Sequence, residues 1–343
     1  MVDRPILCLV PVKNEEWILD RFIRCARLWA DKIVMLDQGS EDSTRKIATS
    51  YKEVLYRDVG EMEYNEGVFR RLLIETARDY SRESIMVAID ADEALSSGIS
   101  EASVIKRIRT LEPGTGFSFM LTNIDPEYTG YWEQREPTVA GFVDDGSAYE
   151  ANWISTPRFP LAGKPVVPIP EVRLLHFQYT DWARMESKQR WYKVKERINE
   201  PGASAIRIYR RYTHMYRQIA NMKPLDPGLF AMYESAGIDM RSMRPSAYWW
   251  DRRTLEAMKT SGLPLRAFLF LDVVPPGDPG DPEIGKMGKA AWGRLVRWYL
   301  RATTMAYPAR WVRVFDKLLR LVEPRARRRA TRTRALHRKA RQA

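Results

Sequence analysis

The sequence has few cysteines and no long apolar run, and each scarcity excludes a class of protein. Two cysteines, Cys8 and Cys25, supply neither a disulfide framework nor a metal-ligand spacing, so we expect buried thiols in a reducing compartment. No stretch approaches the ~18 apolar residues of a membrane-spanning helix. The first apolar run, Ile6–Val12, leads directly into Glu15 and Glu16, unlike a signal peptide. We therefore expect a cytoplasmic protein, either free or peripheral on the inner face of the cytoplasmic membrane.

The positive charge is concentrated at the C-terminal end of the chain. The 343 residues carry 56 Lys and Arg against 44 Asp and Glu, a net charge of +12. Residues 286–343 hold 18 of these basic residues and only two acids, Asp316 and Glu323, and the remainder of the chain is slightly acidic. A basic protein suggests nucleic acid or an anionic surface as a partner. Here the basic excess lies in the C-terminal segment, so an anionic partner is expected for that segment and not for the slightly acidic remainder of the chain.

The N-terminal half alternates apolar strands with amphipathic helices. The patterns predict strands at Ile6–Val12, Lys32–Leu36, Val54–Tyr56 and Ser84–Ile89, with a long helix at about 68–80 before the last of them. Continuous apolar strands separated by helices are typical of a parallel sheet covered on both faces. Ligands of such sheets gather at the carboxyl ends of the strands, which hold residues 11–16, 37–40 and 90–93.

The second half of the chain changes character twice. Residues 113–170 predict short strands, and a further strand at Leu174–Tyr179 precedes a charged helix at Trp182–Ile198. Beyond Pro201 the chain is mostly helical. We predict a domain at 1–200 with halves at about 1–112 and 113–200, a helical region at 201–324 and a disordered basic tail at 325–343.

Two carboxylates follow the fourth predicted strand directly. Asp90 and Asp92, in Asp-Ala-Asp-Glu, are spaced so that both can turn toward one point beyond the sheet. Their hard oxygens suit Mg²⁺ or Mn²⁺ shared with a diphosphate. A solvated acidic turn is the alternative, because a bare Asp-x-Asp tripeptide is common.

Three segments together resemble a known family. LVPVKNEE, IVMLDQGSEDST and IMVAIDADE are similar, in order and spacing, to the signature segments of family 2 glycosyltransferases of the GT-A fold. The resemblance covers about residues 5–180 and implies an α/β fold with a Rossmann-like, mostly parallel sheet flanked by helices, to which this chain adds a helical C-terminal extension. It implies that residues 1–112 form the nucleotide-sugar half and residues 113–200 the acceptor half.

The resemblance also implies roles for individual residues. In the family the first segment lines the nucleotide, the Asp after the second strand contacts base or ribose, and the Asp-x-Asp binds metal and sugar diphosphate. An Arg near the donor often lies in the helix before the fourth strand. The implied donor-binding positions are Pro11, Val12, Asn14, Glu15, Asp37, Arg70 or Arg71, and Asp90, and the implied metal ligands are Asp92 and Asp90.

One departure from the family concerns the nucleotide base. Many members have Asp-Asp-Gly-Ser after the second strand, and the second Asp often reads the base. This chain has Gln38 there, so the family's usual preference for uridine nucleotides does not carry over. The implied reaction is an inverting transfer from a nucleotide-sugar donor to a glycan or lipid-linked acceptor, in which Mn²⁺ or Mg²⁺ stabilises the departing diphosphate.

An inverting transfer needs a carboxylate as general base beside the acceptor hydroxyl. Asp145, Asp144 and Glu150 fall in the segment GFVDDGSAYE on the acceptor side, and Asp145 is the preferred candidate; a simple turn at Asp144–Gly146 is the alternative. His176 is a candidate third metal ligand, since a late His completes the metal shell in several GT-A enzymes, and a hydrogen-bonded core His is the alternative. The aromatic residues Tyr128, Tyr131, Trp132 and Trp153 are candidates for stacking on an acceptor sugar or for ordinary packing.

The C-terminal helices combine apolar and basic stripes. Trp292, Leu295, Val296 and Tyr299 share one helical face, Trp311, Phe315, Leu318 and Val322 share another, and arginines lie beside both. The pattern fits a helix at an anionic membrane surface, and it equally fits a hairpin that docks its apolar face on the catalytic domain; an assembly surface for a homo-oligomer is a further reading.

Two other functions compete with the glycosyltransferase hypothesis. A sugar nucleotidyltransferase has a related sheet, but it requires a glycine-rich basic loop after the first strand, which PVKNEE lacks. A nucleic-acid-binding protein would act through Arg325–Arg341. The slightly acidic body argues against nucleic acid as the main partner.

Overall fold

A computed structural model describes residues 4–61, 65–149, 157–277 and 280–324. Two residues singled out above, Glu150 and Trp153, and the basic tail at 325–343 lie outside the described residues. The strands are β1 Ile6–Val12, β2 Lys32–Asp37, β3 Val54–Asp58, β4 Ile85–Ala88, β5 Glu93–Leu95, β6 Gly116–Ile124, β7 Gly130–Glu133, β8 Thr138–Val143, β9 Val166–His176 and β10 Lys223–Pro224. The helices are α1 Leu19–Ala26, α2 Thr44–Thr49, α3 Glu66–Tyr80, α4 Ala102–Arg109, α5 Trp182–Asn199, α6 Ala205–Arg211, α7 Met215–Gln218, α8 Ala231–Ser235, α9 Trp249–Thr260, α10 Pro282–Lys289, α11 Ala291–Ala302 and α12 Arg310–Leu321.

The chain divides into two compact units. The first comprises Met1–Asp181 and Met222–Ser246, and the second comprises Trp182–Asn221 and Ala247–Ala343. The chain therefore leaves the first unit before α5 and returns to it for one segment that includes α8. The domain limits predicted from the sequence, at residues 200 and 324, remain predictions.

The N-terminal half of the sheet is parallel and confirms the predicted fold class. Its strands lie in the order β3-β2-β1-β4, and every neighbouring pair is parallel. Val12 pairs with Asp37, and Leu9 pairs with Ala88. Because these strands end at one edge, the loops after β1, β2 and β4 emerge together.

Both faces of this parallel half are buried. Cys8 and Val10 belong to one hydrophobic cluster, whereas Leu7 and Leu9 belong to another, as the period-two alternation of a strand requires. Helix α1 covers the first face and α3 the second. Burial on both faces explains the unbroken apolar sequence of β1. The Cys8 and Cys25 thiols are free and buried, which confirms that prediction. Burial also raises the pKa of Cys25 to about 12.

The second half of the sheet is largely antiparallel. Strand β8 runs antiparallel to β4 and to β6, and β6 pairs with β7 in the same way. Strand β9 lies parallel to β6 and antiparallel to the short β5. Within these ladders His176 is the partner of Glu93 on one side and of Asn123 on the other. The predicted strand at 174–179 is strand only at 174–176, where it forms the end of the longer β9; residues 177–179 lie beyond it.

The second unit is helical. Its core is formed by apolar side chains from α5, α6 and α9–α11 and from the segment before α10, among them Val194, Ile206, Phe268 and Leu271. Arg210 and Asp316 form a buried bidentate ion pair, with both N···O distances at 3.0 Å. Among the described residues, no helix is long and apolar enough to cross a membrane.

Candidate functional site

The loops that follow β1 and β2 are joined by hydrogen bonds through Asn14. Its backbone N–H donates to Ser40 Oγ (2.8 Å), and its Oδ1 accepts from the N–H of Glu41 (2.7 Å). Asn14 has φ = 56°, a left-handed conformation that asparagine adopts more readily than most residues. Lys13 Nζ adds a bond to the carbonyl oxygen of Gln38 (3.0 Å). The first two signature segments thus form one bonded surface at the sheet edge.

Asp37 holds the second of these loops in shape. It is only 1% exposed, and its Oδ1 accepts from both N and Oγ of Ser40, each at 2.8 Å. Its Oδ2 accepts from the hydroxyl of Tyr56 (2.6 Å), and burial together with this bond raises the pKa of Tyr56. The carboxylate therefore orders the loop beside β1, and its contact with a base or ribose stays a prediction.

The other first-segment residues lie at the end of β1. Val12 is buried and Pro11 half-buried. The backbone N–H of Glu15 donates to Thr44 Oγ1 (2.8 Å), and its carboxylate accepts from Trp17 Nε1 (2.7 Å). These bonds fix the loop between β1 and α1.

Arg70 and Arg71 have different surroundings, which the sequence did not distinguish. Arg70 is 8% exposed, and its Nη2 lies 3.4 Å from Oδ1 of Asp90 and 4.0 Å from Glu66. Its Nη1 is buried without a hydrogen-bond partner among the described residues. Arg71 is exposed and pairs with Glu75 along the same helix. Of these two arginines, Arg70 is the one that reaches the Asp-x-Asp segment.

Asp92 lies beside His176, as the β5–β9 ladder requires. His176 Nε2 is 3.7 Å from Asp92 Oδ2, and the backbone N–H of Phe177 donates to the carbonyl oxygen of Asp92 (2.8 Å). His176 Nδ1 lies 2.8 Å from Asn123 Oδ1, while the Asn123 amide nitrogen donates to the carbonyl oxygen of Trp132 (3.4 Å). With the amide in that orientation Nδ1 is the donor to Asn123, and Nε2 is the ring nitrogen that faces the carboxylate.

This arrangement fits a divalent cation that is shared with a substrate. Metal-bound histidines usually donate their second N–H to a fixed acceptor, which Asn123 provides for His176. Among the residues that the structure describes, no three His, Cys, Asp or Glu side chains form a complete metal-binding set. Mg²⁺ commonly takes one or two carboxylates and completes its shell with water and substrate phosphate. Asp92 and His176, with Asp90 nearby in sequence, match that pattern better than they match a closed structural site.

A buried ion pair that the sequence did not reveal anchors the same segment. Arg158 donates to both carboxylate oxygens of Glu93, each at 2.8 Å, and its Nη1 also donates to the carbonyl oxygen of Ala88 (2.6 Å). Burial would lower the pKa of Arg158, but Glu93, Asp90 and Asp92 outweigh it and raise that pKa. Glu93 also accepts from the N–H of Asp90 (2.8 Å), so the pair fixes both ends of the Asp-x-Asp turn.

Asp144 and Asp145 do not join this edge, so the structure does not bring the expected base to the Asp-x-Asp turn. Val143 pairs with Ile85, and the N–H of Asp144 donates to Ser84, so these residues lie at the start of β4. Asp90 and Asp92 follow its opposite end. Antiparallel pairing of β8 with β4 thus separates the two groups by the length of the strand.

Both carboxylates already have structural partners at that end of the strand. Arg78 holds Asp144 with bonds of 3.0 and 2.7 Å. Lys164 donates to Asp145 (2.6 Å). Partial burial raises the pKa of Asp145, but the bonds from Lys164 and Ser147 outweigh burial and lower it. A low pKa weakens a carboxylate as a base.

Packing accounts for two of the aromatic residues predicted to stack on a sugar. Tyr128 is buried and its hydroxyl accepts from Arg21 (3.1 Å), and Trp132 packs against Tyr179 with ring centroids 4.7 Å apart. Tyr131 is half-buried between two cations, Arg173 and Lys223. Trp132 still has a site role, since its carbonyl oxygen orients Asn123.

Comparison with known proteins gives similarity of fold only. Neither the family models nor the curated proteins give a match. Among solved structures, GalNAc-T7 with UDP, GalNAc and Mn²⁺ is 10% identical, with a TM-score of 0.36, over 52% of this chain and 44% of its own. 4-Diphosphocytidyl-2C-methyl-D-erythritol synthase is 12% identical, with a TM-score of 0.33, over 49% of this chain and 90% of its own. Glucosyl-3-phosphoglycerate synthase from Mycobacterium tuberculosis, in complex with phosphoglyceric acid, is 18% identical, with a TM-score of 0.24, over 36% of this chain and 44% of its own. This chain therefore matches less than half the length of the GalNAc-T7 structure.

Proposed function

We propose that this chain is a metal-dependent inverting glycosyltransferase that moves a sugar from a nucleotide-sugar donor to a glycan or lipid-linked acceptor. The observation that carries the proposal is the pairing of Asp92 with His176 at the carboxyl edge of the parallel strands, 3.7 Å apart and held by Asn123. Carboxyl edges of this kind bind nucleotides, and an imidazole facing a carboxylate suits a divalent metal.

Mn²⁺ or Mg²⁺ would be held by Asp92 and His176, with Asp90 assisting. When bound, the ion supplies a Lewis acid for the negative charge that develops on the departing diphosphate. The chain's own task is to hold its ligands in place before the donor arrives. Asn123 fixes the histidine ring, and the Arg158–Glu93 pair fixes the turn that carries the two aspartates.

Arg70 is the proposed cationic contact to the diphosphate. Its guanidinium is buried beside Asp90, and its Nη1 still has hydrogen-bonding capacity among the described residues. A buried donor left unsatisfied costs about 1–3 kcal/mol, so an anionic oxygen placed there would recover that energy. Arg71 does not share this role, because it faces Glu75.

The nucleotide would lie on the surface formed by Asn14, Asp37 and Gln38. Their hydrogen bonds hold the two loops together without a substrate. The donor sugar would then point toward Asp92, and a cell-surface glycan precursor at the cytoplasmic face is the proposed acceptor. Asp144 and Asp145 lie at the other end of β4, and the proposal therefore assigns the carboxylate of the inverting displacement to neither of them.

A panel of nucleotide sugars tests the proposal by thermal shift, with Mn²⁺, with Mg²⁺ and with EDTA. We expect one donor to raise the melting temperature only with metal, since a ligand that binds the folded state stabilises it by mass action. Asp92→Asn should abolish the shift, while Asp79→Asn, an exposed carboxylate at the end of α3, serves as the matched control.

Product analysis separates the two enzyme hypotheses. A glycosyltransferase releases a nucleoside diphosphate from the shifted donor, whereas a sugar nucleotidyltransferase consumes nucleoside triphosphate and releases pyrophosphate. The proposal fails if no donor shifts the protein with either metal, or if pyrophosphate is the product.

A further inference from the structure

The exposed apolar side chains are concentrated in α11, α12 and their connection. Of the fourteen large apolar residues that the described part of the chain exposes, ten lie between residues 292 and 322. These ten, called the apolar stripe below, are Trp292, Leu295, Trp298, Met305, Trp311, Val314, Phe315, Leu318, Leu321 and Val322. The exposed fraction reaches 66% at Trp298 and 81% at Leu321. Patches of this kind mark a surface that binds something apolar.

Helical periodicity divides α12 into three faces. Val312 and Asp316, one turn apart, are buried in the second unit. The stripe residues of α12 occupy the next face, at spacings of three and four. The third face is basic, and its members are Arg310, Arg313, Lys317 and Arg320.

This division corrects one predicted helix face. Val296 and Tyr299 were expected to share a surface with Trp292 and Leu295. Val296 is buried, and the hydroxyl of Tyr299 bonds to Asp316 (3.2 Å), whereas Trp292 and Leu295 are exposed. Helix α11 packs one apolar face on its own unit and exposes a second apolar face on its surface.

The exposed charges within the segment that carries the apolar stripe, residues 291–322, are all positive. Between residues 291 and 322 the only acid is Asp316, which is buried against Arg210. Arg294, Arg310 and Arg313 are exposed at the borders of the stripe. The sequence that follows adds nine Lys and Arg between residues 325 and 343.

We propose that the apolar stripe docks on an anionic lipid bilayer, with α11 and α12 lying in its interfacial layer. Tryptophan and arginine favour that layer, and each basic residue near anionic lipid adds attraction. A second copy of the chain is a poorer occupant, because it would bring the same basic borders against each other. The proposal is independent of the reaction at the sheet edge.

Vesicle flotation tests the docking surface. The full chain should float with phosphatidylcholine vesicles that contain 30% phosphatidylglycerol (about a third of the lipid, to give a strong negative surface) and should remain unbound with phosphatidylcholine alone. The double variant Trp298→Ser, Phe315→Ser should lose at least about tenfold in partitioning, since two large apolar side chains no longer enter the interface. Leu28→Ser, which removes an exposed apolar side chain from the first unit, is the matched control.

Sedimentation analysis completes the test. The proposal is overturned if the chain does not bind anionic vesicles at low salt, or if the double variant binds as well as the control. It is also overturned if the unmodified chain sediments as a dimer that the double variant converts to a monomer without any vesicle binding. The tail is present in all variants, so its charge alone cannot produce the expected difference.

A second inference rests on a cavity of about 710 Å³ within the helical unit. It is lined by α5, α6 and α7, by the segment at 272–276 and by the end of α11. Most of its charged groups have partners. Arg190 forms two bonds of 2.9 Å to Asp251, and Arg301 forms bonds of 2.7 and 2.6 Å to Asp272. Glu186 accepts from the hydroxyl of Tyr216.

Among the residues that the structure describes, Lys193 is the exception in the cavity wall. It is 5% exposed, and its ammonium lies 5.0 Å from the ring centroid of Tyr209. Burial lowers its pKa to about 8; Arg190 and Arg301 act in the same direction, and Asp272 and Glu186 oppose them. Gln189, one turn earlier, has a buried Oε1 without a partner among the described residues. The wall thus offers a cation for an anion and an acceptor for a hydroxyl.

We infer that this cavity binds a small polyhydroxylated anion, a sugar that carries a phosphate or a carboxylate. The anionic group would lie against Lys193, and a ligand hydroxyl would donate to Gln189. Tyr209, Tyr212 and Tyr216 line the remaining wall, where aromatic rings suit the apolar face of a sugar. A volume of this size accommodates a mono- or disaccharide.

Calorimetry with three probes tests the cavity. Glucose 6-phosphate and glucuronate should bind, with the better of the two identifying the anionic group, and neutral glucose should bind at least about tenfold more weakly, because an ammonium contact to an anion is a charge-assisted bond. At pH 8.5 binding should take up protons, since the anion restores the Lys193 charge, and the enthalpy should depend on the buffer. Lys193→Met should remove both effects, and Lys286→Met, at an exposed lysine of the same unit, should not. Equal binding of glucose, absence of binding by both anions, or full binding by Lys193→Met overturns the inference.

Discussion

Arg158 and Glu93 are joined by two hydrogen bonds of 2.8 Å, with Glu93 buried and Arg158 only 13% exposed, although 65 residues separate them in the sequence. The pair fixes the turn that carries Asp90 and Asp92, because Glu93 also accepts from the backbone of Asp90. A matched pair occurs in the same unit. Arg107 and Glu171 form a similar bidentate contact, but both side chains are about 40% exposed. The two pairs separate the effect of burial from that of geometry.

Arg158→Met should lower the free energy of unfolding by about 3 kcal/mol, since it leaves the Glu93 carboxylate buried without its partner. Arg107→Met should cost less than about 1 kcal/mol, because water solvates Glu171. Urea denaturation of both variants measures the difference. Equal losses would show that burial does not govern these pairs.

Asn123→Ala should weaken the apparent affinity for Mn²⁺ during turnover by about 10- to 100-fold. The substitution removes the oxygen that holds Nδ1 of His176, so the ring is free to turn. The Mn²⁺ concentration that gives half-maximal activity is the quantity to measure. Ser118→Ala, on the same strand, provides the control for a change in β6 itself. Unchanged metal dependence in Asn123→Ala would remove the histidine from the proposed metal shell.

Asp145→Asn should leave transfer within about twofold of the unmodified enzyme, since the residue lies at the start of β4 and not beside the Asp-x-Asp turn. Asp92→Asn should reduce transfer by at least about 100-fold, the order of loss expected when a metal loses a direct carboxylate ligand. Initial rates with saturating donor compare the two. A severe loss in Asp145→Asn would return that carboxylate to the role of base.

Lys193 should make the unfolding free energy depend on pH in the alkaline range. Its pKa is about 8 in the folded chain and ~10.4 when unfolded, so the unfolded state binds the additional proton between these values. Stability of the unmodified chain should therefore rise by about 3 kcal/mol relative to Lys193→Met as the pH increases from 8 to 10.4. Below pH 8 both states are protonated, and the difference between the two proteins should be constant. Denaturation at several pH values, without ligand, measures this difference.

The parallel half of the fold was predictable because each of its elements is local. Strand β1 has the predicted limits, and β2, β3 and β4 differ from prediction by one or two residues at their ends. Their apolar runs are buried on both sides and so leave a continuous signal in the sequence. The position of the three signature loops follows from the parallel order, which explains why the sequence alone places Asn14, Asp37 and Asp90 at one edge of the sheet.

Non-local pairing explains the features that the sequence did not reveal. Whether Asp144 lies near Asp90 depends on the direction of β8 beside β4, and no pattern within GFVDDGS reports that direction. Asn123 and Arg158 enter the site through β6 and through a loop before β9, far from the quoted segments. The choice between Arg70 and Arg71 was accessible in principle, since Arg70 follows Phe69 and precedes Leu73 on the buried side of α3.

The return of segment 222–246 to the first unit has a consequence for how the protein is made. Phe230, Tyr233 and Ile238 complete the core around β1, and the Tyr233 hydroxyl donates to the carbonyl oxygen of Leu95. A ribosome must therefore synthesise all of α5–α7 before the sheet receives its last core side chains. Gene fragments that stop at residue 181 or 200 would encode a sheet with an open hydrophobic surface. The shortest fragment worth expressing ends after Ser246.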